Sequence, residues 1–246
     1  MTSKQKLLLA LTALAVFVLS IVFRALFLGD LAGSICYEME AATRMVHGQI
    51  PFRDFYFDET LSLVFFRMPA VWLAQLLAAQ GSASVLPFAA IAIASFMEVS
   101  LLAILSFALC IYIVVTSKLD DRSQMQLWFA LVGFALANFA MGYSYGCAQH
   151  IFCLLLSPYF FLRLTAWLQP EHSLNTNAHS PLFRSFCGLL AGFGASLDAL
   201  FIVVPLTIEA VEFLSRRLLG KANSFADEFF WLLISFILSW SYLLQL

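Results

Sequence analysis

The chain is poor in charge. Only 11% of its 246 residues are Asp, Glu, Lys or Arg, and the formal net charge is -2. That balance gives no case for nucleic acid as a partner, which needs a basic face. Strict apolar–polar alternation is also missing, which excludes a transmembrane β-barrel. The five cysteines, Cys36, Cys110, Cys147, Cys153 and Cys187, form no close pair with metal-ligand or redox spacing. Most lie in apolar runs, where cysteine acts as a small hydrophobe. Cys36 and Cys147 are the one candidate pair for a disulfide, on the outer side. The four histidines, His47, His150, His172 and His179, show no metal-binding spacing either. No internal repeat and no low-complexity tract appears.

What is present is hydrocarbon. The composition is 62% hydrophobic with 26 Phe, and the mean hydropathy is +0.91. Several runs exceed the roughly 20 apolar residues that cross a bilayer core. The fold class is therefore all-α, a polytopic transmembrane helix bundle forming a single membrane domain over residues 1–246. The runs are 7–28, 61–79, 85–115, 126–143, 150–168, 186–213 and 229–246. Lys4 and Lys6 precede the first, which is long for a signal peptide and lacks a cleavage site, so the N-terminus is expected in the cytoplasm.

The distribution of Lys and Arg sets the rest of the topology. If 61–79 lies at the outer surface without crossing, Lys118, Arg122, Arg184, Arg216, Arg217 and Lys221 can all be cytoplasmic. That arrangement makes 186–213 a tight hairpin turning near Asp198. It predicts about seven crossings or half-crossings, plus an outer juxtamembrane helix. The parts are an outer loop with an amphipathic helix (29–60), a surface helix (61–79) and a helical bundle (85–246).

The polar window between the first two runs holds Asp30, Glu38, Glu40, Arg44, His47, Arg53, Asp54, Asp58 and Glu59. Charge gathered at the mouth of a membrane bundle points to recognition or chemistry. Residues 35–47 read as a short helix with Ile35, Met39, Ala42 and Val46 on one apolar face. Glu40 and Arg44 are four apart, the order that stabilises an exposed helix. Glu38 falls at the edge of the apolar face, without a basic residue one turn away. It is either a base with raised proton affinity or a partner of Arg24 or Arg67. Gly48 ends the helix and Pro51 fixes an extended exit. Arg53 can grip a phosphate, aligned by Asp54 or Asp58, or form a local pair that shapes the loop.

Inside the membrane, Glu98 must be protonated, paired or lining a cavity. Glu209 and Glu212 are expected to pair with Arg216 and Arg217 at the cytoplasmic side. Asp198 reads as a turn or cap residue, or as a member of the same cavity as Glu98.

One stretch carries a family likeness. An acidic helix after the first span, Ala41-Ala42-x-Arg44, then Gly48-x-x-Pro51-Phe52-Arg53-Asp54-Phe55, resembles the first outer loop of the GT-C superfamily. The segment from Phe186 to Asp198, running on to Pro205, is similar to a later helix of that fold. These are integral-membrane glycosyltransferases, many of which use polyprenyl-phosphate-linked sugars. The resemblance implies sugar transfer from a lipid-phosphate donor to an acceptor hydroxyl at the outer face. It implies Glu38 as the catalytic base, with Glu40, Arg53, Asp54, Asp58 and Glu98 around the substrates. It fixes no cofactor and leaves room for a divalent metal. The setting it implies is the inner (plasma) membrane of a bacterium. The superfamily's acidic pair aligns with Ser34 and Ile35 here, and Glu38 and Glu40 come about one helical turn later. The chain is also short for the superfamily. A second expectation is therefore a non-catalytic subunit or truncated relative of the same fold. A third class, a small transporter, is suggested by Glu98 and Asp198 and opposed by the lack of a repeat.

Overall fold

A computed structural model describes residues 3–26, 33–57, 60–78, 88–138, 145–168, 179–218 and 227–243. Among them, every regular element is helical. They are α1 (Ser3–Ala25), α2 (Gly33–Val46), α3 (Leu61–Leu77), α4 (Phe88–Thr116) and α5 (Asp121–Ala137), then α6 (Ala148–Leu168), α7 (Pro181–Ala195), α8 (Val203–Leu218) and α9 (Asp227–Leu243). A 3-10 turn, Ala199–Ile202, joins α7 to α8. The all-α class is as expected, but the span count is not. Three helices are long and apolar enough to cross a bilayer: Leu7–Ala25, Phe88–Thr116 and Ala148–Leu168. α3 and the Phe229–Ser239 part of α9 are apolar but shorter. Among the described residues, α5, α7, α8 and α9 are only 15–17 residues long, and the run 186–213 breaks at residues 196–198.

Two helices also begin earlier than their apolar runs. The helix expected from residue 126 begins at Asp121, because Asp120 caps it by accepting from the Arg122 and Ser123 amides. A hydrogen bond from the Ser123 hydroxyl, together with those amide bonds, holds the Asp120 carboxyl below its usual range. Gln124 then turns inward and donates to the Val114 carbonyl at 2.7 Å. Likewise α7 starts at Pro181, not 186, since Ser180 caps it by accepting from Phe183 N–H. The chain reverses at residues 196–198, where Asp198 accepts from the Leu200 amide. This is the expected hairpin, and it gives Asp198 a capping role.

The helices register by pairwise contacts. α4 and α6 run in the same direction: Ser100 meets Tyr145, Ser106 donates to the Leu154 carbonyl, and Cys110 donates to Ser157. α1 runs against them, with Phe17 stacked on Phe107 and the Arg24 guanidinium 5.6 Å from the Tyr145 ring centre. α7 runs against α6, since Phe183 meets Tyr112 while Gly194 faces Leu155. Arg24, Gly146 and Ser196 therefore share one end of the bundle, the end where α4 begins. α3 sits at that end too. Its start touches the turn after α7, where Thr60 donates to the Leu197 carbonyl. Further along, Ala70, Val71 and Ala74 pack in one cluster with Ala90 and Ala94 of α4. α3 thus runs back along the first turns of α4, and α2 joins them through Ile35, Met39 and Ala42.

α7 is wedged between α6 and α9 by glycine. A Cβ on Gly192 would stand 2.2 Å from the Leu232 carbonyl oxygen, and one on Gly194 would stand 2.8 Å from Leu155 Cβ. Small residues let membrane helices approach this closely. A backbone oxygen cannot rotate out of the way, so Gly192→Ala is expected to cost about 3 kcal/mol, the upper end for overpacking. Gly133→Ala has open space around its new methyl and should be neutral or slightly stabilising. Thermal unfolding of both variants in detergent checks the contrast.

Candidate functional site

The expected amphipathic helix forms as α2. Ile35, Met39 and Ala42 are buried and Val46 is half-buried, as the apolar face requires. Glu40 sits on the exposed face and accepts from Arg44 at 2.6 Å, the local pairing read from their spacing. Gly48 follows the helix with φ +82°, a left-handed conformation that glycine adopts without strain. The chain then makes a compact tip. Phe52 N–H donates to the Phe55 carbonyl, and Asp54 accepts from the Ile50 amide at 2.8 Å.

Arg53 and Asp54 pair within this tip. Nε and Nη2 of Arg53 donate to Asp54 at 2.9 and 2.8 Å. The guanidinium hydrogen bonds and the Ile50 amide bring the Asp54 carboxyl down to about 2, and Asp54 in turn raises the Arg53 pKa. Both stay charged at any physiological pH. The Arg53 side chain is 66% exposed, and Phe52 and Tyr56 beside it are also exposed. Asp58, expected to help align Arg53, lies outside the described residues.

Glu38 is elsewhere, and it is not free. It is 1% exposed and bonded to Arg67 of α3, which is itself fully buried. Arg67 Nε and Nη2 reach Glu38 Oε2 at 2.8 and 2.7 Å. Nη1 donates to Glu98 Oε2 at 3.0 Å and to Ser95 Oγ at 3.4 Å. Nη2 also donates to the Gly146 carbonyl. A guanidinium carries five N–H donors; four of them make these hydrogen bonds, and the Nη2–Glu38 contact adds an ion pair. One cation is shared by two carboxylates from α2 and α4. Sharing weakens its hold on each, so burial prevails and raises the Glu38 pKa, against the pull of Arg67. Of the two partners expected for Glu38, the fold supplies Arg67, while Arg24 turns to Tyr145.

Gly146 links this cluster to a second polar chain. Its N–H donates to His150 Nδ1 at 3.0 Å. That bond fixes the tautomer with the proton on Nε2, which donates to Asn138 Oδ1 at 3.0 Å. Asn138 Nδ2 passes to Ser20 at 2.6 Å, and Ser20 to the Phe17 carbonyl. The chain therefore ties α6, α5 and α1 together beneath α2 and α3. Gly146 has φ +86°, and a Cβ there would stand 3.1 Å from Val99.

A second charge cluster lies toward the other end. Arg163 of α6 meets Glu209 Oε1 at 2.8 Å and also bonds Glu212, both from α8. Tyr159 donates to Glu209, and Trp167 Nε1–H donates to Glu212 at 3.0 Å. The expectation named Arg216 and Arg217 for these glutamates, and the partner the fold supplies from α6 is Arg163; the Arg216 side chain lies outside the described residues. The helix turns residues 209 and 212 toward α6, where Arg163 waits at 3% exposure. Arg163 was legible in principle, as a lone cation inside an apolar run.

Two further points concern metal and disulfide chemistry. Among the described residues, no three His, Cys, Asp or Glu side chains converge to hold a metal ion. Cys36 and Cys147 are free thiols, so the candidate disulfide is absent. The sum is an integral-membrane helix bundle with two buried carboxylate–guanidinium–carboxylate clusters and an exposed arginine tip. No protein-family model, no curated protein and no solved structure matches the chain.

Proposed function

We propose that this chain is the membrane module of a GT-C-like glycosyltransferase. It takes a sugar from a polyprenyl-phosphate donor and passes it to an acceptor hydroxyl at the outer face of a bacterial inner (plasma) membrane. Residues 118–122 and 180–184 then lie at the cytoplasmic end, and α2, the tip and α3 at the outer end. The observation that carries this reading is the tip. Arg53 stands out beside exposed Phe52 and Tyr56. Aromatic rings suit the headgroup layer. Asp54 occupies Nε and Nη2, which leaves Nη1 for a lipid phosphate.

In the reaction, the acceptor oxygen bonds the anomeric carbon as the sugar–phosphate bond breaks. The lipid phosphate leaves toward Arg53. The hydroxyl proton goes to Glu38, and Arg67 keeps Glu98 as its counter-ion. This step needs α2 to lift, because Glu38 is 1% exposed. The same burial favours a second reading, a non-catalytic subunit of the same fold, in which the Glu38–Arg67 bond is a permanent clasp.

Turnover separates the two. With a polyprenyl-phosphate sugar as donor, Glu38→Gln is expected to lower turnover about 100-fold or more, the range of acid–base groups. Glu40→Gln should change it far less, since Arg44 already accounts for its charge. Equal rates for Glu38→Gln and the parent would remove Glu38 from the chemistry. A parent that binds donor through Arg53 without turnover would establish the second reading.

The orientation has its own test. In a background without native cysteines, thiols placed at Tyr56 and Phe88 should both react with an impermeant maleimide from the outer face. A thiol at Arg122 should react only from the cytoplasm. Finding Tyr56 and Phe88 on opposite faces would overturn the arrangement of α3.

A further inference from the structure

The exposed surface between α5 and α6 is not flat. Where the two helices splay, they leave a groove of about 380 Å³. Gly133, Phe134 and Ala137 form one wall, and Cys153, Phe160 and Phe161 the other. A Cβ on Gly133 would meet nothing within 4 Å, so the gap begins at the helix backbone itself.

The groove offers almost nothing polar. Asn138, His150 and Ser157 are the polar residues that line it. Each is already engaged: Asn138 with Ser20, His150 with Gly146 and Asn138, Ser157 with Ser106 and Leu154. A sugar or headgroup would find no free partner there, so the occupant is hydrocarbon. Its lining spans residues 150 to 161 of α6, about 16 Å at 1.5 Å per residue. Even its whole empty space, about 910 Å³, spread over that length leaves a cross-section of about 55 Å², too thin for a helix about 10 Å across. A hydrocarbon chain fits within it. The rim is continuous with exposed Phe129, Leu136 and Phe160, the apolar surface that faces the bilayer.

We infer that this groove is a lipid site, which seats one acyl chain of a bilayer phospholipid between α5 and α6. An unfilled apolar slot on a membrane helix pair forfeits dispersion contacts along both walls, and a phospholipid acyl chain restores them. The site is independent of the glycosyl-transfer reading, because its walls include no residue of α2, the tip or α3.

The test uses the full chain in phosphatidylcholine vesicles, some of whose lipids carry a diazirine in one acyl chain. After illumination, label mapped by mass spectrometry should concentrate on residues 130–137 and 153–160. The exposed α4 face around Leu101, Ile104 and Leu105 should take less. Gly133→Phe fills the slot and should lower labelling there about tenfold, the size of a 1.4 kcal/mol loss. Leu101→Phe, on the exposed α4 face, should leave groove labelling unchanged. Ala137→Leu gives a milder filling of the same wall, should Gly133→Phe fail to fold. Uniform labelling of all exposed helix faces would overturn the site, as would labelling indifferent to both fillings. Cross-links between two copies at this groove would show that a second chain, rather than a lipid, occupies it.

Discussion

Arg67→Met should be the most damaging single change in the half of the bundle where α4 begins. It removes the one cation shared by Glu38 and Glu98 and leaves both carboxylates without it in a dry site. Removing one partner of a buried pair costs about 3–5 kcal/mol, because the survivor stays desolvated. Here there are two survivors, so the upper part of that range applies. The Gly146 carbonyl and Ser95 also lose their donor. The decisive comparison is with Arg67→Met combined with Glu38→Gln and Glu98→Gln. Replacing a whole buried ion cluster with neutral groups is often harmless, so the triple variant should recover most of the loss. Thermal unfolding in detergent measures both. A triple variant no more stable than Arg67→Met alone would show that charge is not what holds α2 and α3 to α4.

Arg163→Met should act similarly at the other cluster. Glu209 and Glu212 are both buried, and Arg163 lies against each. Its loss should cost about 3–5 kcal/mol and release α8, whose polar anchor to α6 is this cluster. Tyr159 and Trp167 would still donate one hydrogen bond each, which limits the damage to Glu209 and Glu212. Limited proteolysis reads the release directly, because α8 should become cleavable while α1 to α6 stay protected. Unchanged protection of α8 would mean that its apolar face, and not the charge cluster, seats it.

The sequence disclosed what is local. Period 3.6 marked the apolar face of α2, the spacing of four marked Glu40 and Arg44, and Gly48 marked the end of the helix. Asp198 as a turn residue followed from its place between two short apolar arms. What stayed hidden depends on distance along the chain. Arg67 lies 29 residues from Glu38 and 31 from Glu98, beyond any helical period, so it stood for Glu38 only as one candidate beside Arg24, and its sharing with Glu98 left no signal. Arg163 lies 46 and 49 residues from its glutamates, while Arg216 and Arg217 lie within about two turns of them and drew the assignment. The polar chain through His150 and Asn138 had no signal either, because its key group is a glycine backbone. The number of crossings was overread because apolar length was counted as spanning length, whereas the described parts of α5, α7, α8 and α9 are only 15–17 residues long.

Gly146 also imposes an order of assembly. A growing chain presents α2, α3 and α4 first, and Arg67 can then reach Glu38 and Glu98. Its remaining acceptor is a carbonyl 79 residues downstream, which arrives only when α6 enters the membrane. Since chains fold from the N-terminus during synthesis, α2 and α3 must wait half-fastened while α5 is made. Closure then comes in one step. The same glycine whose carbonyl accepts from Arg67 holds His150 through its amide. Arrival of α6 therefore locks α2 and α3 and fixes α5 and α1 beneath them at the same moment.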